Sequence, residues 1–521
     1  MPDAIVIGAG PNGLTGANFL ADAGWDVLVL EAQPAPGGAV RSAELTEPGF
    51  VSDCFSAFYP LGIASPHLRA LDLHQHGLEW LHAPAVVAHP HSDGSCATLY
   101  RDVERSAASV GAFAPEDADA WRRISEAWLK VQPAFISALM GPFPPLRAAG
   151  RLVRALGGTK EILDFARLGV MPVRRHAEEE FRGDGAARLL AGNALHADVT
   201  PDSAGSALFG WVLVGLGESL GWPVARGGAQ HITDALVARL KAKGGELRCG
   251  EEVTEIVVRG GRAVGVRTAG GEQIDAGRAI LADTGAPALY ERMLPEAHRV
   301  PLKRFHYDNS TVKLDWSLDG PIPWRNEEAR QAGTVHVTDG LDALSQHAAE
   351  LNAGDLPSKP FLLLGQYSHY DPSRAPEGKE AAWAYTHVAQ GSWDESRTDE
   401  FADLMEEQIE ARAPGFRKLI RKRHLFTPVS LEAANQNLVG GSVNGGTAQI
   451  HQQLVFRPTP GLARTETTVD GLYLASASAH PGGGVHGACG ANAARAALSA
   501  PARALVPRLL RSGWPATTRR E

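Results

Sequence analysis

The sequence predicts an α/β fold in which a dinucleotide-binding domain carries an inserted mixed α+β domain. A glycine-rich turn lies between two short apolar runs at the start of the chain, and a second glycine-rich segment spans residues 471–487. Between them lie one stretch with helical periodicity and a later stretch with strand-like alternation. If both glycine-rich segments hold one ligand, the chain folds back so that its two ends meet.

The N-terminal motif combines a strand, a glycine turn and a helix. Residues 4–7 form a short apolar run that is typical of a buried parallel strand. The run is followed by the fingerprint Gly8-Ala9-Gly10-Pro11-Asn12-Gly13. Its three glycines permit a tight turn, close approach of a pyrophosphate and close helix packing. The next helix, about 13–23, directs its N-terminal amides at the phosphates, as in a Rossmann-like domain.

An acidic residue and a glycine doublet follow the second strand, which is predicted over 27–30. Glu31, with Ala32 beside it, ends this strand where a carboxylate accepts hydrogen bonds from the adenosine ribose. The run Gly37-Gly38-Ala39-Val40-Arg41-Ser42 resembles the second flavin motif of the glutathione-reductase and amine-oxidase superfamily, which favours FAD over NAD. Arg41 can make charge-assisted bonds to phosphate or to the flavin edge, or it can be a solvated loop arginine.

The C-terminal segment has the features of a second flavin contact. A short apolar strand over 472–475 leads to Ser476 and Ala477, whose backbone is predicted near the phosphate and ribityl chain. Three glycines over 482–484 let the chain pass close to a flat ring, and Val485 and His486 follow them. A helix over 487–498 points its N-terminus at the flavin N1–C2=O edge and stabilises negative charge there.

The flavin-binding domain is predicted to be discontinuous. Its pieces are residues 1–75, 226–300 and 425–505, and the backbone of Val253 is expected to pass the adenine. Residues 76–225 are expected to form a helical part, and 300–425 a strand-rich part, of one substrate domain. A flexible tail is expected over 507–521.

Composition excludes several classes of function. The 521 residues are 44% hydrophobic and 21% charged, as in ordinary globular proteins, and suffice for two or three domains. A formal net charge of −9 argues against nucleic-acid binding. The four cysteines are scattered without a C-x-x-C pair, and the histidines show no metal-binding spacing, so no metal site is predicted.

A basic stretch raises the question of membrane contact. Residues 135–175 mix apolar side chains with arginine and lysine, a pattern that suits either an anionic bilayer surface or a solvated helical face. No leader pattern precedes the first strand, and no apolar run is long enough to span a bilayer. The expected location is the cytoplasm, with peripheral membrane contact as the alternative.

The chain resembles the phytoene-desaturase-like flavoproteins of the amine-oxidase superfamily over nearly its full length. Within them it is most similar to the pyridine nucleotide-disulphide oxidoreductase domain-containing protein 2 branch. The resemblance rests on the N-terminal fingerprint and on four further segments, which are 221–228, 368–378, 457–461 and 479–487. It implies non-covalent FAD and oxidation of a carbon–carbon bond in a lipophilic, polyene or isoprenoid-like substrate. Many members have an arginine before or within the glycine doublet, whereas here the arginine is Arg41.

Catalysis needs a hydride acceptor and a route for a proton. His480 and His486 are the nearest titratable candidates in the C-terminal motif, and the alternative is that both only pack beside the glycine loop. Oxygen, a quinone or another compound is expected as electron acceptor, because the sequence shows no second nucleotide fingerprint. A flavin amine or amino-acid oxidase, and a flavin-fold binding or assembly protein, remain alternative functions.

Overall fold

The protein is described by a computed structural model that covers residues 1–503, so the tail predicted over 507–521 lies outside the described residues. The strands are β1 Ala4–Ile7, β2 Val27–Glu31, β3 Ser42–Ala43, β4 Ser52–Asp53, β5 Trp80–Leu81, β6 Ala85–Pro90, β7 Cys96–Leu99, β8 Val224–Ala225, β9 Glu246–Cys249, β10 Val253–Arg259, β11 Arg262–Thr268, β12 Gln273–Asp275, β13 Ala279–Ala282, β14 Ser310–Leu318, β15 Ala332–Val337, β16 Leu362–Gln366, β17 Glu380–Val388, β18 Ile420–Phe426 and β19 Leu472–Leu474. The helices are α1 Pro11–Asp22, α2 Pro60–Ala64, α3 Pro66–Arg69, α4 Val103–Gly111, α5 Asp117–Met140, α6 Leu146–Leu156, α7 Thr159–Leu168, α8 Val173–Glu180, α9 Gly185–Ala194, α10 Ser206–Ser219, α11 Gln230–Ala242, α12 Glu327–Gln331, α13 Leu341–Ala353, α14 Thr398–Glu410, α15 Phe416–Leu419, α16 Pro428–Ala434 and α17 Ala488–Arg503.

A five-stranded parallel sheet joins distant parts of the chain in the order β19-β13-β1-β2-β9. The central strand β1 pairs with β2 on one side and β13 on the other, and its four side chains are buried. The apolar run that predicted this strand is therefore covered on both faces, as parallel sheets require. Helices α1, α11 and α17 cover one face, and the three antiparallel strands β10–β12 share the core of the other.

A seven-stranded mixed sheet, in the order β18-β14-β17-β16-β15-β6-β7, forms the second layer of the molecule. Its pairs are antiparallel except for β6 and β15, which run parallel. Residues 76–225, expected to supply the helical part, contain α4–α10 and also contribute the strands β6 and β7. This stretch and 300–425 therefore share one sheet, while the division of the chain into domains remains a proposal.

The two ends of the chain are fastened together by a close crossing of α1 and α17. Gly16 of α1 lies against Gly490 of α17, and a Cβ added to Gly490 would be 1.8 Å from the carbonyl oxygen of Asn12. Only hydrogen fits at such a distance, so the glycines let the two backbones touch. No helix in residues 1–503 has the length and apolar character needed to cross a membrane.

We predict that Gly490→Ala destabilises the protein by about 3 kcal/mol, because the new methyl group must push α17 away from α1. Gly150→Ala is the matched control, since it lies in α6 with no atom within 4 Å of the added Cβ. The control should gain up to about 1 kcal/mol from helix propensity. Urea unfolding of both variants checks this, and equal stabilities would contradict the tight crossing.

Candidate cofactor site

The glycine turn between β1 and α1 forms the floor of the candidate site. The amide of Gly8 donates to Leu30 O at 2.7 Å, and the φ of Gly8 is 92°. A Cβ on Gly13 would lie 2.1 Å from Gly8 O, so no larger residue fits there. Gly10 precedes α1 without a side-chain cap, and Pro11 occupies its first turn. The N-terminus of α1 therefore has no side-chain cap from Gly10, and the Gly13 amide of its first turn donates to Asp283 Oδ2 at 2.8 Å.

The glycine doublet lies directly on this turn. The amide of Gly37 donates to Ala9 O at 2.9 Å, and a Cβ on Gly38 would be 3.0 Å from the Cα of Gly10. The two predicted motifs thus form one surface. Ala39 O accepts from the Ser56 hydroxyl at 2.7 Å, which holds the end of the doublet in place.

Arg41 and Ser42 continue from the doublet and brace neighbouring segments. Arg41 donates through Nε to Gly38 O at 3.1 Å and through Nη2 to Ala434 O at 2.8 Å. The hydroxyl of Ser42 donates to Asp53 Oδ1 at 2.7 Å. Both side chains therefore hold the loop after the glycine doublet in place through contacts with the protein. A direct phosphate contact of Arg41 remains a proposal.

The adenosine side of the site is organised by Glu31. Its Oε2 accepts from the Ala9 amide at 2.7 Å and its Oε1 from the Gln33 amide at 2.9 Å, so it ties the glycine turn to the end of β2 next to Ala32. The amide of Glu251 donates to Glu31 O at 2.8 Å. This bond brings the start of β10, where Val253 lies, to the same edge of the sheet.

Asp283 is a site residue that sequence reasoning missed. It follows β13, and its Oδ2 accepts from the Gly13 amide at 2.8 Å and would lie 2.8 Å from a Cβ on Gly10. Burial raises its pKa to about 7, and the nearby charge of Glu31 adds to this. The available signal was an acidic residue at the carboxyl end of a buried parallel strand, where ligands bind.

The C-terminal segment enters the site beside β13. The amide of Ala475 donates to Ala282 O at 2.8 Å, which places Ser476 and Ala477 just beyond the sheet edge. Gly484 has a φ of 110°, and a Cβ there would be 2.8 Å from Leu61. The glycine run is thus tightly enclosed, with Val485 packed against the same core as α1.

Arg457 is a second residue that the motif analysis quoted without a role. Its guanidinium is 1% exposed and donates to the carbonyls of Ala477 (2.6 Å), Asn444 (3.0 Å) and Thr447 (3.0 Å). It also lies against Gly482, whose added Cβ would be 3.2 Å from Cζ. Burial lowers its pKa to about 10. This buried cation therefore clamps the C-terminal flavin segment to residues 444–447.

His480 and His486 lie beside the glycine run, both buried. Burial lowers the pKa of each to about 4, so both imidazoles are neutral at physiological pH. His486 Nδ1 accepts from the Ala488 amide at 3.0 Å, which leaves the ring proton on Nε2. Nε2 of each histidine has no hydrogen-bond partner among residues 1–503. Both Nε2 atoms are buried from solvent, and the catalytic role of the two histidines remains a proposal.

Two further family segments meet behind the glycine doublet. Arg374 is 0% exposed and forms hydrogen bonds with both carboxylate oxygens of Asp53, one of which also accepts from the Ala229 amide at 2.7 Å. Asp371 accepts from the Gly227 amide at 3.0 Å. Segment 368–378 is thus tied to Asp53 by a buried ion pair, and segment 221–228 is tied to segment 368–378 by the hydrogen bond from Gly227 to Asp371. Within the described residues no group of three or more His, Cys, Asp or Glu side chains is arranged to hold a metal.

These residues fit a flavin dinucleotide. The close glycine contacts form a cradle at the N-terminus of α1, and Glu31 ends the adjacent strand β2 beside it. A contact of Glu31 with the ribose remains a proposal. The unpartnered Nε2 atoms of His480 and His486 lie at the opposite end, beside the glycine run. Residues from both ends of the chain therefore contribute to the site that fits the flavin dinucleotide.

Comparison with known proteins agrees with this geometry. The family model described as "Flavin containing amine oxidoreductase" matches residues 12–498. Pyridine nucleotide-disulfide oxidoreductase domain-containing protein 2 of Rattus norvegicus is 29% identical, over 94% of this chain and 92% of that protein. Hydroxyneurosporene desaturase of Cereibacter sphaeroides is 28% identical, over 96% and 98%. Cyclohexylamine oxidase from Brevibacterium oxydans has the same fold, with a TM-score of 0.59, 15% identity and coverage of 97% and 100%.

We predict that stability depends on Asp283 between about pH 4 and pH 7. The buried carboxyl holds its proton in the folded state, whereas the unfolded chain releases it above its ordinary pKa of 3.8. The free energy of unfolding therefore falls as pH rises from about 4 to 7, by up to about 4 kcal/mol, and is level above that.

Asp283→Asn keeps an acceptor for the Gly13 amide and should remove this part of the pH dependence. Urea unfolding at half-unit intervals from pH 4.5 to 8 measures the difference between variant and wild type. The exposed Asp275→Asn serves as control and should follow the wild-type curve. Parallel curves for wild type and Asp283→Asn would contradict the assignment.

We further predict that Arg457→Lys loses FAD, because an ammonium group cannot serve three carbonyl groups spread around a planar guanidinium. The expected cost is about 3 kcal/mol in unfolding free energy, together with a lower flavin absorbance per protein. Arg175→Lys is the control, since Arg175 is 59% exposed and its ion pairs are solvated. Full flavin content in Arg457→Lys would disprove the clamp.

Proposed function

Because the chain belongs to the flavin-containing amine oxidoreductase family, we propose that it is an FAD-dependent desaturase or dehydrogenase that introduces a C=C bond into a lipophilic, polyene or isoprenoid-like substrate. The protein is an oxidoreductase and its cofactor is FAD. The observation that carries the proposal is the 28% identity to a hydroxyneurosporene desaturase over 98% of that protein's length. A match of this extent spans the stretches that are proposed to form the substrate domain as well as those proposed for the cofactor domain.

An aromatic wall next to the flavin loop supports an apolar substrate. Phe58 follows the loop that contains Asp53, and its ring lies parallel to that of Tyr367 with centroids 6.1 Å apart. Trp383 and Tyr385 stack at 6.0 Å on the same face of β17. Tyr367 and Trp383 are 0% and 5% exposed, so these rings form a packed apolar layer. An apolar layer beside the flavin loop suits a neighbouring conjugated or isoprenoid chain better than a polar metabolite.

The chemistry divides between the cofactor and the protein. Bound FAD accepts the hydride that leaves one substrate carbon. The protein must orient the substrate, exclude water and release the proton from the adjacent carbon. We propose that neutral His480 and His486 position the reacting end through their free Nε2 atoms, and that oxygen, a quinone or another acceptor takes the electrons.

An amine oxidase is the second candidate, and a buried pair of carboxylates favours it. Asp308 is 3% exposed, and burial together with the charge of Asp198 raises its pKa to about 6. Two such acids could pair with a substrate ammonium group. An aromatic cage facing the flavin, which would bind a substrate ammonium group through its ring faces, cannot be assigned among the described residues, so this function stays the second candidate.

Peripheral membrane contact is proposed as the route to a lipophilic substrate. Helix α6 carries Arg147, Arg151 and Arg154 and has no acidic residue. Its Leu146 is 76% exposed and its Val153 49% exposed. Apolar and basic side chains on one short helix can enter the headgroup region of an anionic bilayer.

We predict that the purified protein shows oxidised-flavin absorbance and releases FAD on denaturation. Under anaerobic conditions an isoprenoid hydrocarbon in detergent should bleach this absorbance at least tenfold faster than cyclohexylamine, and the product should be lighter by two hydrogens. Free FAD with the same compounds is the control. Faster bleaching by the amine, with release of an aldehyde or ketone, would replace the proposal by the second candidate.

A further inference from the structure

A short loop outside the cofactor motifs lies along the C-terminal flavin segment. This support loop is formed by residues 442–446. Gly445 O accepts from the hydroxyl of Ser478 at 2.8 Å. Asn444 lies so close to Gly483 that a Cβ added to the glycine would be 2.9 Å from Asn444 Oδ1 and 3.0 Å from Asn444 Cα. The support loop therefore contacts the flavin segment both before and within the glycine run.

The side-chain amide of Asn444 is held in one orientation. Its Nδ2 donates to Asp308 Oδ2 at 2.7 Å. Because an ionised carboxylate can only accept, the nitrogen of the amide faces Asp308 and the oxygen is left on the side of Gly483. The carbonyl oxygen of Asn444 accepts from Arg457 Nη2 at 3.0 Å. Asn444 is thus held from two directions, through its backbone by Arg457 and through its side chain by Asp308.

Asp308 is itself fixed and buried just before β14. The amide of the next residue, Asn309, donates to Asp198 Oδ2 at 2.9 Å. The other carboxylate oxygen of Asp308, Oδ1, accepts from the hydroxyl of Ser442. Asp308 therefore holds the support loop at two positions, with one oxygen on Ser442 and the other on Asn444. Burial opposes ionisation of this carboxyl, and its two hydrogen bonds offset part of that cost.

We propose that Asp308 is a positioning residue that acts through Asn444 to hold the glycine run 482–484 against bound FAD. The contact of Asn444 with Gly483 limits how far the backbone of the run can move away from a flat ring. A supporting residue of this kind determines how precisely a binding site keeps its shape. Arg457 reaches only the carbonyl groups of the support loop, so Asp308 supplies the contact that orients the side chain. The inference rests on the FAD site alone and holds for a desaturase and an amine oxidase alike.

The rate at which FAD leaves the holoenzyme measures this support without any substrate. The FAD-bound protein is diluted, and release is followed as the rise in fluorescence of free flavin. Asn444→Ala and Asp308→Ala should each release FAD at least about tenfold faster than wild type, since each loses a hydrogen bond to a charged group or its acceptor. The visible absorption bands of the bound flavin should shift as well, because the backbone beside the ring is no longer held.

Asp117→Ala is the matched control. Asp117 is also a buried aspartate with two hydrogen bonds, which come from the amides of Arg182 at 2.7 Å and Gly183 at 2.8 Å. It is the first residue of α5 and makes no contact with the support loop. Its loss should lower the melting temperature, as the loss of Asp308 does, while the release rate and the flavin spectrum stay near wild type.

The double variant Asp308→Ala/Asn444→Ala shows whether Asp308 acts through Asn444. If it does, the double variant releases FAD about as fast as Asn444→Ala alone, because the second substitution removes a contact that is already lost. Two effects that multiply would mean that Asp308 acts on the cofactor by another route, and would overturn the proposal.

Asp308→Asn separates the hydrogen bonds from the charge. Its amide oxygen can accept from Asn444, and its amide nitrogen can donate to the hydroxyl of Ser442. This variant should therefore release FAD within about threefold of the wild-type rate. Release as fast as in Asp308→Ala would show that the charge, and not the position of Asn444, holds the cofactor.

A merely structural role of Asp308 has a different signature. It would lower the melting temperature of Asp308→Ala and leave both the release rate and the flavin spectrum unchanged, which would overturn the proposal. If Asp308→Ala does not fold, Asn444→Ala decides, because Asn444 is only partly buried and its side chain makes a single hydrogen bond. Unchanged release in that variant overturns the proposal as well. Absence of bleaching by every isoprenoid tried would count against the proposed function and would leave these release rates fully interpretable.

Discussion

The contact between the two ends of the chain is the constraint on which the rest of the structure depends. Strand β1 cannot complete its sheet without β13, and β13 in turn pairs with β19 near the C-terminus. The crossing of α1 and α17 at Gly490 fixes how deeply the last helix enters. Because of this, the glycine turn and the C-terminal glycine run share one edge of one sheet, and each side of the cofactor site is built by a different end.

Buried charged side chains hold in place the loops that lie between the five-stranded and the seven-stranded sheet. Arg374 and Asp53 join the segment after the glycine doublet to the segment at 368–378. Arg457 donates to carbonyl groups instead of a carboxylate, because its neighbours are backbone carbonyls of the loop around 444–447. Such groups cost several kcal/mol to bury, and only a fixed geometry of partners offsets that cost. Loops held in this way are rigid enough to shape a cofactor site.

The sequence was sufficient to predict what local spacing and periodicity determine. The β1–α1 turn, the strand ending at Glu31, strand β19 and helix α17 are all found close to where the sequence predicts them. The predicted FAD cofactor and family are confirmed as well. Prediction from local patterns is correct here because the conformation of each glycine turn and each apolar strand depends mainly on residues that are close in sequence.

Residues that act across large sequence separations were beyond such reasoning. Asp283 contacts a turn 270 positions earlier, and only the sheet order brings the two together. Strands β6 and β7 were hidden in a stretch dominated by helices, since their pairing partner β15 lies far along the chain. The hydrogen bond between His196 and His336 also joins two separate elements across 140 positions.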